Sequence, residues 1–281
     1  MASDTRLNDA GEELTGKDLV VVPLRHPWRW FSGAVIVLVI AGLGWAMSEA
    51  QIQWEDVPGF FTHPVMLEGL LNTIVLALAA QGGAIVLGVV VALMRLSANP
   101  VARWFAVGYI WLFRGLPVLL QILIWFNLAL VFQNISIPGV FSVPTNVVMT
   151  AFVAALLGLG LNESAYMAEI VRAGLSSVDE GQTEAAKSIG MTPMTTLRRV
   201  VLPQAMRVII PPTGNNFINM IKGTSMASVI AFLELIHAAN NISSRNLEIM
   251  ETLFAAAAWY LVMVSLASVG QHYLERAYGP R

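Results

Sequence analysis

The sequence predicts an all-α integral membrane protein with six transmembrane helices, and two observations carry this prediction. Of its 281 residues, 56% are hydrophobic and only 12% are charged, whereas a soluble domain carries about 25% charged residues. Six segments also meet or approach the roughly 20 apolar residues that a helix needs to cross a bilayer. We therefore expect spans at about 31–48, 68–94, 104–132, 144–171, 204–234 and 253–274.

The first span is short, and tryptophans lie near both of its ends. Trp28, Trp30 and Trp45 would suit the aromatic belts at the two membrane interfaces. The preceding residues 1–30 are polar and mixed in charge, and we interpret them as a cytosolic tail. No small-residue cleavage site follows the apolar run, so we expect a retained span instead of a signal peptide.

The later spans differ in how regular they are. The second is rich in glycine, a residue that lets neighbouring helices approach closely. The third, fourth and fifth are interrupted by polar or helix-breaking residues. Pro211 and Pro212 should break the fifth, and broken helices often line substrate paths in transporters. The sixth, Leu253 to Leu274, is an uninterrupted apolar span.

Basic residues predict the orientation. With the N-terminus in the cytosol and six alternating spans, 14 of the 16 lysines and arginines fall on the cytosolic side, as the positive-inside rule expects. Of the other two, Lys222 lies within a span and Arg245 lies outside. The cytosolic set is Arg6, Lys17, Arg25, Arg29, Arg95, Arg103, Arg114, Arg172, Lys187, Arg198, Arg199, Arg207, Arg276 and Arg281.

Composition excludes several function classes. There is no cysteine, so disulfides, thiolate catalysis and iron–sulfur clusters are excluded. The four histidines form no i, i+3 or i, i+4 pair, and we expect no metal site. A net charge of −2 argues against a nucleic-acid partner. No acid/base constellation or nucleophile motif indicates an enzyme, and no filter sequence indicates an ion channel.

One loop, residues 172–210, is long and basic and falls on the predicted cytosolic side. Its pattern indicates a short helix over about 179–189, a turn at Gly190, and a second short helix over about 193–201. Gly190 suits a left-handed helix end, and Pro193 is tolerated in an opening helical turn. Pro203 is expected to stop the second helix.

The residues of this loop resemble the EAA loop of ABC-importer permeases. Glu184-Ala185-Ala186 is followed by Gly190 and then by Val200-x-Leu202-Pro203 at the spacings of that motif. The resemblance implies a coupling helix that inserts into a cleft of an ATPase subunit. Glu184 would then anchor a partner cation, Ala185 and Ala186 would allow close approach, and Gly190 would set the angle between the helices.

Most of the chain, from about Gly69 to Glu275, resembles the polar amino-acid permeases. The similar blocks include GLLNTIVLAL, YIWLFRGLPVLLQ, LNESAYMAEIVRAG and LPQAMRVIIPPTGNNFINMIKG. The resemblance implies a MetI-like, five-helix type I importer core at 65–275, to which 31–48 adds one N-terminal helix. It also implies a cell-membrane location and a second permease copy or paralogue. Two cytosolic ATPases and an external amino-acid-binding protein would complete the assembly.

Cofactor binding on this chain is not expected. The sequence contains no phosphate-binding loop of the form G-x-x-x-x-G-K-[ST], and the order of residues at Lys222-Gly223-Thr224-Ser225 does not match it. ATP and magnesium would therefore be bound by the partner ATPase.

Ionisable residues at membrane depth are costly and indicate function. Arg114 precedes an 18-residue stretch, so we expect the third span to begin at Gly115 and Arg114 to lie at the cytosolic interface. Glu169 and Arg172 are one turn apart, and we expect them to form an interfacial ion pair or a gate contact.

Seven polar residues are candidates for a substrate path. Glu163 has the character to accept a substrate ammonium, and Lys222 to bind a carboxylate. Alternatively, the two neutralise each other, or Lys222 pairs with a neighbouring subunit. The full set is Asn162, Glu163, Asn215, Asn219, Lys222, Thr224 and Ser225.

Two other functions stay open at this point. The first is an ion-coupled secondary transporter that uses Glu163 as a proton site and works without partner subunits. The second is a membrane scaffold or enzyme subunit. The identity of the amino acid and the choice between homodimer and heterodimer are also open.

Overall fold

The structure is a computed structural model that describes residues 27–50, 52–137 and 141–278. The chain divides into two units, Met1–Ile52 and Gln53–Arg281. The described residues of the first unit contain one helix, α1 (Pro27–Ser48), which is long and apolar enough to cross a membrane. This helix matches the span predicted at 31–48, and most of the predicted polar tail lies outside the described residues.

The second unit is almost entirely helical. Its helices are α2 (Val57–Phe61), α3 (Pro64–Leu96), α4 (Pro100–Gly115), α5 (Val118–Phe126), α6 (Thr145–Val148), α7 (Ala151–Ser176), α8 (Glu180–Ser188), α9 (Pro193–Thr196), α10 (Leu202–Gly223), α11 (Leu235–Asn246) and α12 (Ile249–Tyr278). Three irregular helical segments lie at Leu128–Leu130, Leu197–Val201 and Thr224–Ile230. Two strands, β1 (Asn134–Ile137) and β2 (Phe141–Pro144), form an antiparallel hairpin that the all-α prediction missed.

The predicted six-span architecture is broadly confirmed. Four described helices, α1, α3, α7 and α12, are each long and apolar enough to cross a membrane. Two further spans are bent pairs: α4 with α5, and Pro193–Ile230 with α11. The bends are 100° and 45° respectively. Counting each bent pair as one span brings the number to six.

Helices α3 and α7 form the centre of the second unit and run parallel. Their close approach depends on Gly88, where an added Cβ would come within 3.0 Å of the Ser164 carbonyl oxygen. Helix α4 runs antiparallel to α7, since Tyr109 bonds to Ser164 whereas Phe113 lies beside Asn162. Helix α10 also runs antiparallel to α7, since Ile209 lies against Gly174 whereas Asn216 bonds to Glu163. We call the end that carries α8 the loop end, and the end that carries α11 the far end.

The third span does not begin at Gly115 as predicted. Helix α4 continues to that residue, and the nine-residue α5 then leaves at 100° and is too short to span by itself. Pro117 has no N–H, so the carbonyl of Phe113 loses its helical partner. Gln121 and Asn162 donate their side-chain amides to that carbonyl, which stabilises the bend.

The far end is fastened by a buried carboxylate that the sequence analysis did not single out. Glu234 is fully buried and caps α11, accepting bonds from the backbone N–H of Ile236 and His237. It also accepts the hydroxyl of Tyr260 on α12, at 2.8 Å. Thr73 on α3 accepts from Leu235 N–H at 3.2 Å. These bonds join α3, α11 and α12 into one rigid corner.

Candidate functional site

We call residues 179–194, at the loop end, the α8 segment, and its helix α8 begins and ends as the sequence predicts. Asp179 caps α8 by accepting a bond from the Gly181 N–H at 2.8 Å. Gly190 has φ +80°, a left-handed conformation that favours glycine. Gly190 N–H donates to the Lys187 carbonyl and Met191 N–H to the Ala186 carbonyl, the two bonds of a Schellman motif.

Pro203 does not stop the second helix, so this prediction was wrong. The chain continues from α9 through a π-helical segment, Leu197–Val201, directly into α10. Leu202 N–H bonds to the Leu197 carbonyl, five residues back. The wider turn lies immediately before Pro203, which has no N–H to donate and sits in the opening turn of α10.

Pro211 and Pro212 do not break the fifth span either. Helix α10 runs through both, and the bend lies later, where Ala231 adopts φ +58°. The proline ring holds φ near the helical value, so a helix can continue through proline when the residues on both sides are helical. Gln271 on α12 donates to the Pro211 carbonyl at 2.8 Å and lies closely against Gly214.

The surface of the α8 segment differs from the predicted one at two points. Glu184 and Ala185 are exposed, as expected, but Ala186 is only 4% exposed and cannot face a partner. Ile189 and Met194, which the sequence pattern did not single out, are 77% and 64% exposed. Both flank the Gly190 turn, and an exposed apolar pair beside an acidic residue is typical of a protein-binding surface.

Helix α10 presents an open polar face. Asn215, Asn219 and Lys222 are all exposed, and their spacing of i, i+4, i+7 places them on one side. In the described part of the chain no carboxylate lies within ion-pair distance of Lys222. The predicted alternative in which Glu163 and Lys222 neutralise each other is therefore not seen. We call these three residues the open face.

Glu163 lies at the seam between α7 and α10. It is half-buried, and its Oε1 accepts a bond from the Asn216 amide at 2.6 Å. Asn216 is the direct neighbour of Asn215, so Glu163 borders the open face. Helix rise places Lys222 about 9 Å from the level of Asn216, toward the far end.

Arg114 was predicted to lie at the cytosolic interface, but it lies well inside the span. Its guanidinium lies 4.8 Å from the ring centre of Tyr166 on α7, a cation–π contact. Tyr166 is ten residues before the end of α7, or about 15 Å of helix. The prediction failed because α4 extends to Gly115 and carries Arg114 inward. Tyr166, which Arg114 contacts, lies one turn from Glu163 on α7.

Three of the seven predicted path residues bond to nearby backbone. Asn162 is buried and donates to the Phe113 carbonyl, so its amide holds the α4–α5 bend. Thr224 is fully buried and donates to the Ile221 carbonyl. Ser225 is half-buried and donates to the Lys222 carbonyl at 2.7 Å. Of the seven, Glu163 and the open-face residues offer a carboxylate and exposed polar groups to a ligand.

Glu169 and Arg172 form the predicted pair near the loop end, and α3 joins it. Arg172 donates twice to Glu169 Oε2, at 2.8 and 3.0 Å, and Arg95 lies 3.4 Å from Oε1. The cluster ties α3 to α7 two turns from Glu163. Within the described ranges no group of three or more histidines and carboxylates could hold a metal ion.

Comparison with known proteins agrees with this geometry. Residues 84–279 match the family described as "Binding-protein-dependent transport system inner membrane component". The chain is 40% identical over 279 residues to the arginine transport system permease protein ArgU of Corynebacterium glutamicum, covering 98% of this chain and 87% of that protein. It is 31% identical over 227 residues to the glutamine transport system permease protein GlnP of Escherichia coli, covering 80% and 97%.

Solved structures show the same fold. A chain from the crystal structure of an amino acid ABC transporter with histidines matches at a TM-score of 0.70 and 35% identity, covering 81% of this chain and 100% of that one. The inward-facing MetNI methionine ABC transporter matches at 0.60 and 19% identity, covering 77% and 97%, which supports the fold alone. The chain is thus a multi-pass permease subunit and not an enzyme, and it belongs to the binding-protein-dependent transport system inner membrane components of ABC transporters.

Proposed function

We propose that the chain forms one half of the membrane pathway of an ATP-driven importer for a polar amino acid. The open face of α10 is the observation that carries this proposal. Polar groups at membrane depth are tolerated only where protein or a water-filled cavity covers them. Asn215, Asn219 and Lys222 have no such cover in the described residues. A second permease copy or paralogue would enclose them and create the pathway.

The chemistry of this region suits a zwitterion. Glu163 has one carboxylate oxygen held by Asn216, which orients the other toward a substrate ammonium. Lys222 and Arg114 offer cations for a substrate carboxylate. Relatives named for arginine and glutamine transport support a polar amino acid as the substrate class.

The α8 segment would bind the ATPase. Glu184, Ala185, Ile189 and Met194 form one exposed surface around the Gly190 turn. Met194 lies in the first turn of a helix that continues without interruption into α10, the helix that carries the open face. Movement of an ATPase bound at this surface would therefore be transmitted directly to the pathway. Two cytosolic ATPase subunits would hold ATP and magnesium.

The orientation follows from the same proposal. The loop end would face the cytosol, together with both chain termini, because that side carries most lysines and arginines. The far end would face outward and receive the amino acid from an external binding protein. The protein would lie in the cytoplasmic membrane, which is the inner membrane where a cell has two.

Uptake kinetics in proteoliposomes test the substrate side of the proposal. The full assembly would be reconstituted with its ATPase and binding protein, and uptake of labelled L-arginine and L-glutamine measured. Glu163→Gln and Lys222→Met should each raise the KM by roughly 10- to 100-fold, because one charged hydrogen bond contributes about 1.5–3 kcal/mol. Glu55→Gln, an exposed carboxylate outside the pathway, is the matched control. Unchanged KM values in both variants would contradict the assignment.

A further inference from the structure

The far end contains a cavity that none of the pathway residues lines. Its volume is about 350 Å³, within the range of small-molecule sites. It lies between the beginning of α3 and one face of α11. The lining residues are Phe60, His63, Val65, Glu68, Leu233, Asn241, Ile242, Arg245 and Asn246.

Opposite charges line this cavity without forming an ion pair. Glu68 comes from α3, and Arg245 comes from the last turn of α11. In the described residues neither takes part in a salt bridge. Both side chains are exposed, so each can be reached from solvent. The cavity therefore offers one free carboxylate and one free guanidinium to a ligand.

The remaining polar groups have distinct roles. His63 Nδ1 accepts a bond from the Val65 N–H at 3.3 Å, which leaves Nε2 free to face the cavity. Asn246 is engaged with Glu248 through both its amide nitrogen and its oxygen. Asn241 makes no side-chain hydrogen bond among the described residues. Asn241 and His63 thus add two uncommitted polar groups.

The rest of the lining is apolar and firmly held. Phe60, Val65, Leu233 and Ile242 supply the apolar walls, and all four pack against the main hydrophobic core. Gly69 allows α3 and α11 to cross closely, since an added Cβ would lie 3.0 Å from the Glu234 carbonyl oxygen. The cavity is therefore preformed and does not depend on a mobile loop.

We propose that this cavity is a second, outer binding site for a free zwitterionic amino acid. Glu68 would bind the ammonium, Arg245 would bind the carboxylate, and the apolar walls would contact side-chain methylenes. Because recognition uses the α-groups, the site should accept several side chains. The inference rests on the proposed amino-acid substrate class, and the proposed orientation makes the cavity open to the outside.

Photolabelling tests the site directly. The reconstituted permease–ATPase complex, without binding protein, would be irradiated with photo-methionine, a free amino acid that carries a diazirine, and labelled peptides identified by mass spectrometry. Peptides spanning 60–68 and 241–246 should be labelled. L-Glutamine should suppress the labelling, whereas N-acetyl-L-glutamine, which lacks the ammonium, should not.

Variants separate this site from the membrane pathway. Glu68→Gln and Arg245→Gln should each lower labelling of these peptides about tenfold, as expected for loss of one charged hydrogen bond. Glu55→Gln removes a carboxylate from the same end without lining the cavity, and it should leave the labelling unchanged. Glu163→Gln should also leave it unchanged while raising the KM for uptake.

Three results would overturn the outer site. They are no labelling of the cavity peptides, labelling that N-acetyl-L-glutamine suppresses equally, or labelling that survives both Glu68→Gln and Arg245→Gln. An uptake KM that still responds to Glu163→Gln would keep the proposed function intact in each case.

Discussion

Gly88 is a position where a single added methyl group should destabilise the packing of α3 against α7. A Cβ added there would lie 2.5 Å from the Met167 Cβ, 3.0 Å from the Ser164 carbonyl oxygen and 3.1 Å from the Ala168 nitrogen. Two of these atoms belong to the α7 backbone, so a rotamer change cannot relieve the overlap. Overpacking costs about 1–3 kcal/mol, and because two of the three contacts are fixed backbone atoms, the upper part of that range, about 2–3 kcal/mol, applies to Gly88→Ala. Alanine regains up to about 1 kcal/mol of helix propensity, which leaves Gly88→Ala destabilised by about 1–2 kcal/mol.

Thermal unfolding of the purified permease in detergent measures this effect. A Tm decrease of roughly 2–8 °C is expected, at about 2–4 °C per kcal/mol for a chain of this size class. Gly82→Ala is the matched control, because it lies on the same helix and its Cβ would meet no atom within 4 Å. Its Tm should stay level or rise slightly. Equal Tm values for the two variants would refute the reasoning that α3 and α7 touch backbone to backbone.

Three further predictions concern the ends of the bundle. Gly190→Ala should weaken ATPase binding measured by calorimetry, because a left-handed alanine costs about 1–2 kcal/mol. Gly190→Asn should recover most of the lost affinity, and an equal loss of affinity in the two variants would contradict the role of the left-handed turn. Glu234→Gln should lower the Tm, since one amide oxygen cannot accept all three bonds and an unmet buried donor costs about 1–3 kcal/mol. At the far end, partial desolvation and the carboxylates of Asp56 and Glu251 raise the pKa of Glu248. A carboxyl group whose pKa is raised in the folded state stabilises the fold at pH values below its unfolded pKa. That contribution is lost as the pH rises through the raised, folded-state pKa. Glu248→Gln should therefore raise the Tm more at pH 7 than at pH 4; a pH-independent difference would contradict the coupling.

Hydropathy predicted the long helices well because each is a nearly unbroken apolar run. Helices α1, α3 and α12 all contain their predicted spans. Hydropathy could not show where the third span bends, because α4 and α5 together read as one apolar segment. The bend depends on Pro117 and on the amides of Gln121 and Asn162, which are far apart in sequence.

The α8 segment was predictable where local chemistry decides the structure. The Asp179 cap and the left-handed Gly190 both follow from residue type and position. The continuation of the helix past Pro203 was not predictable, because proline usually ends a helix and the π-helical turn before it leaves no sequence pattern. Ile189 and Met194 were missed for a different reason: exposure depends on tertiary packing, and isolated apolar residues in a short segment look like core.

The polar residues at membrane depth were found correctly, but their roles depend on packing. Asn162 and Glu163 are adjacent in sequence, yet one is bonded to the α4 backbone while the other borders the open face. A rotation of 100° between consecutive helical residues separates a structural role from a candidate binding role. Only the positions of neighbouring helices reveal which residue has which role.

The most direct measurement is amino-acid uptake by proteoliposomes that contain either this permease assembled with its ATPase and binding protein or the permease alone. Uptake should require the full assembly and internal ATP, and Ile189→Glu at the α8 surface should abolish it while leaving the permease folded and membrane-inserted. Accumulation driven by an ion gradient with the permease alone would contradict the proposed function. So would ATP-driven uptake that Ile189→Glu leaves unchanged.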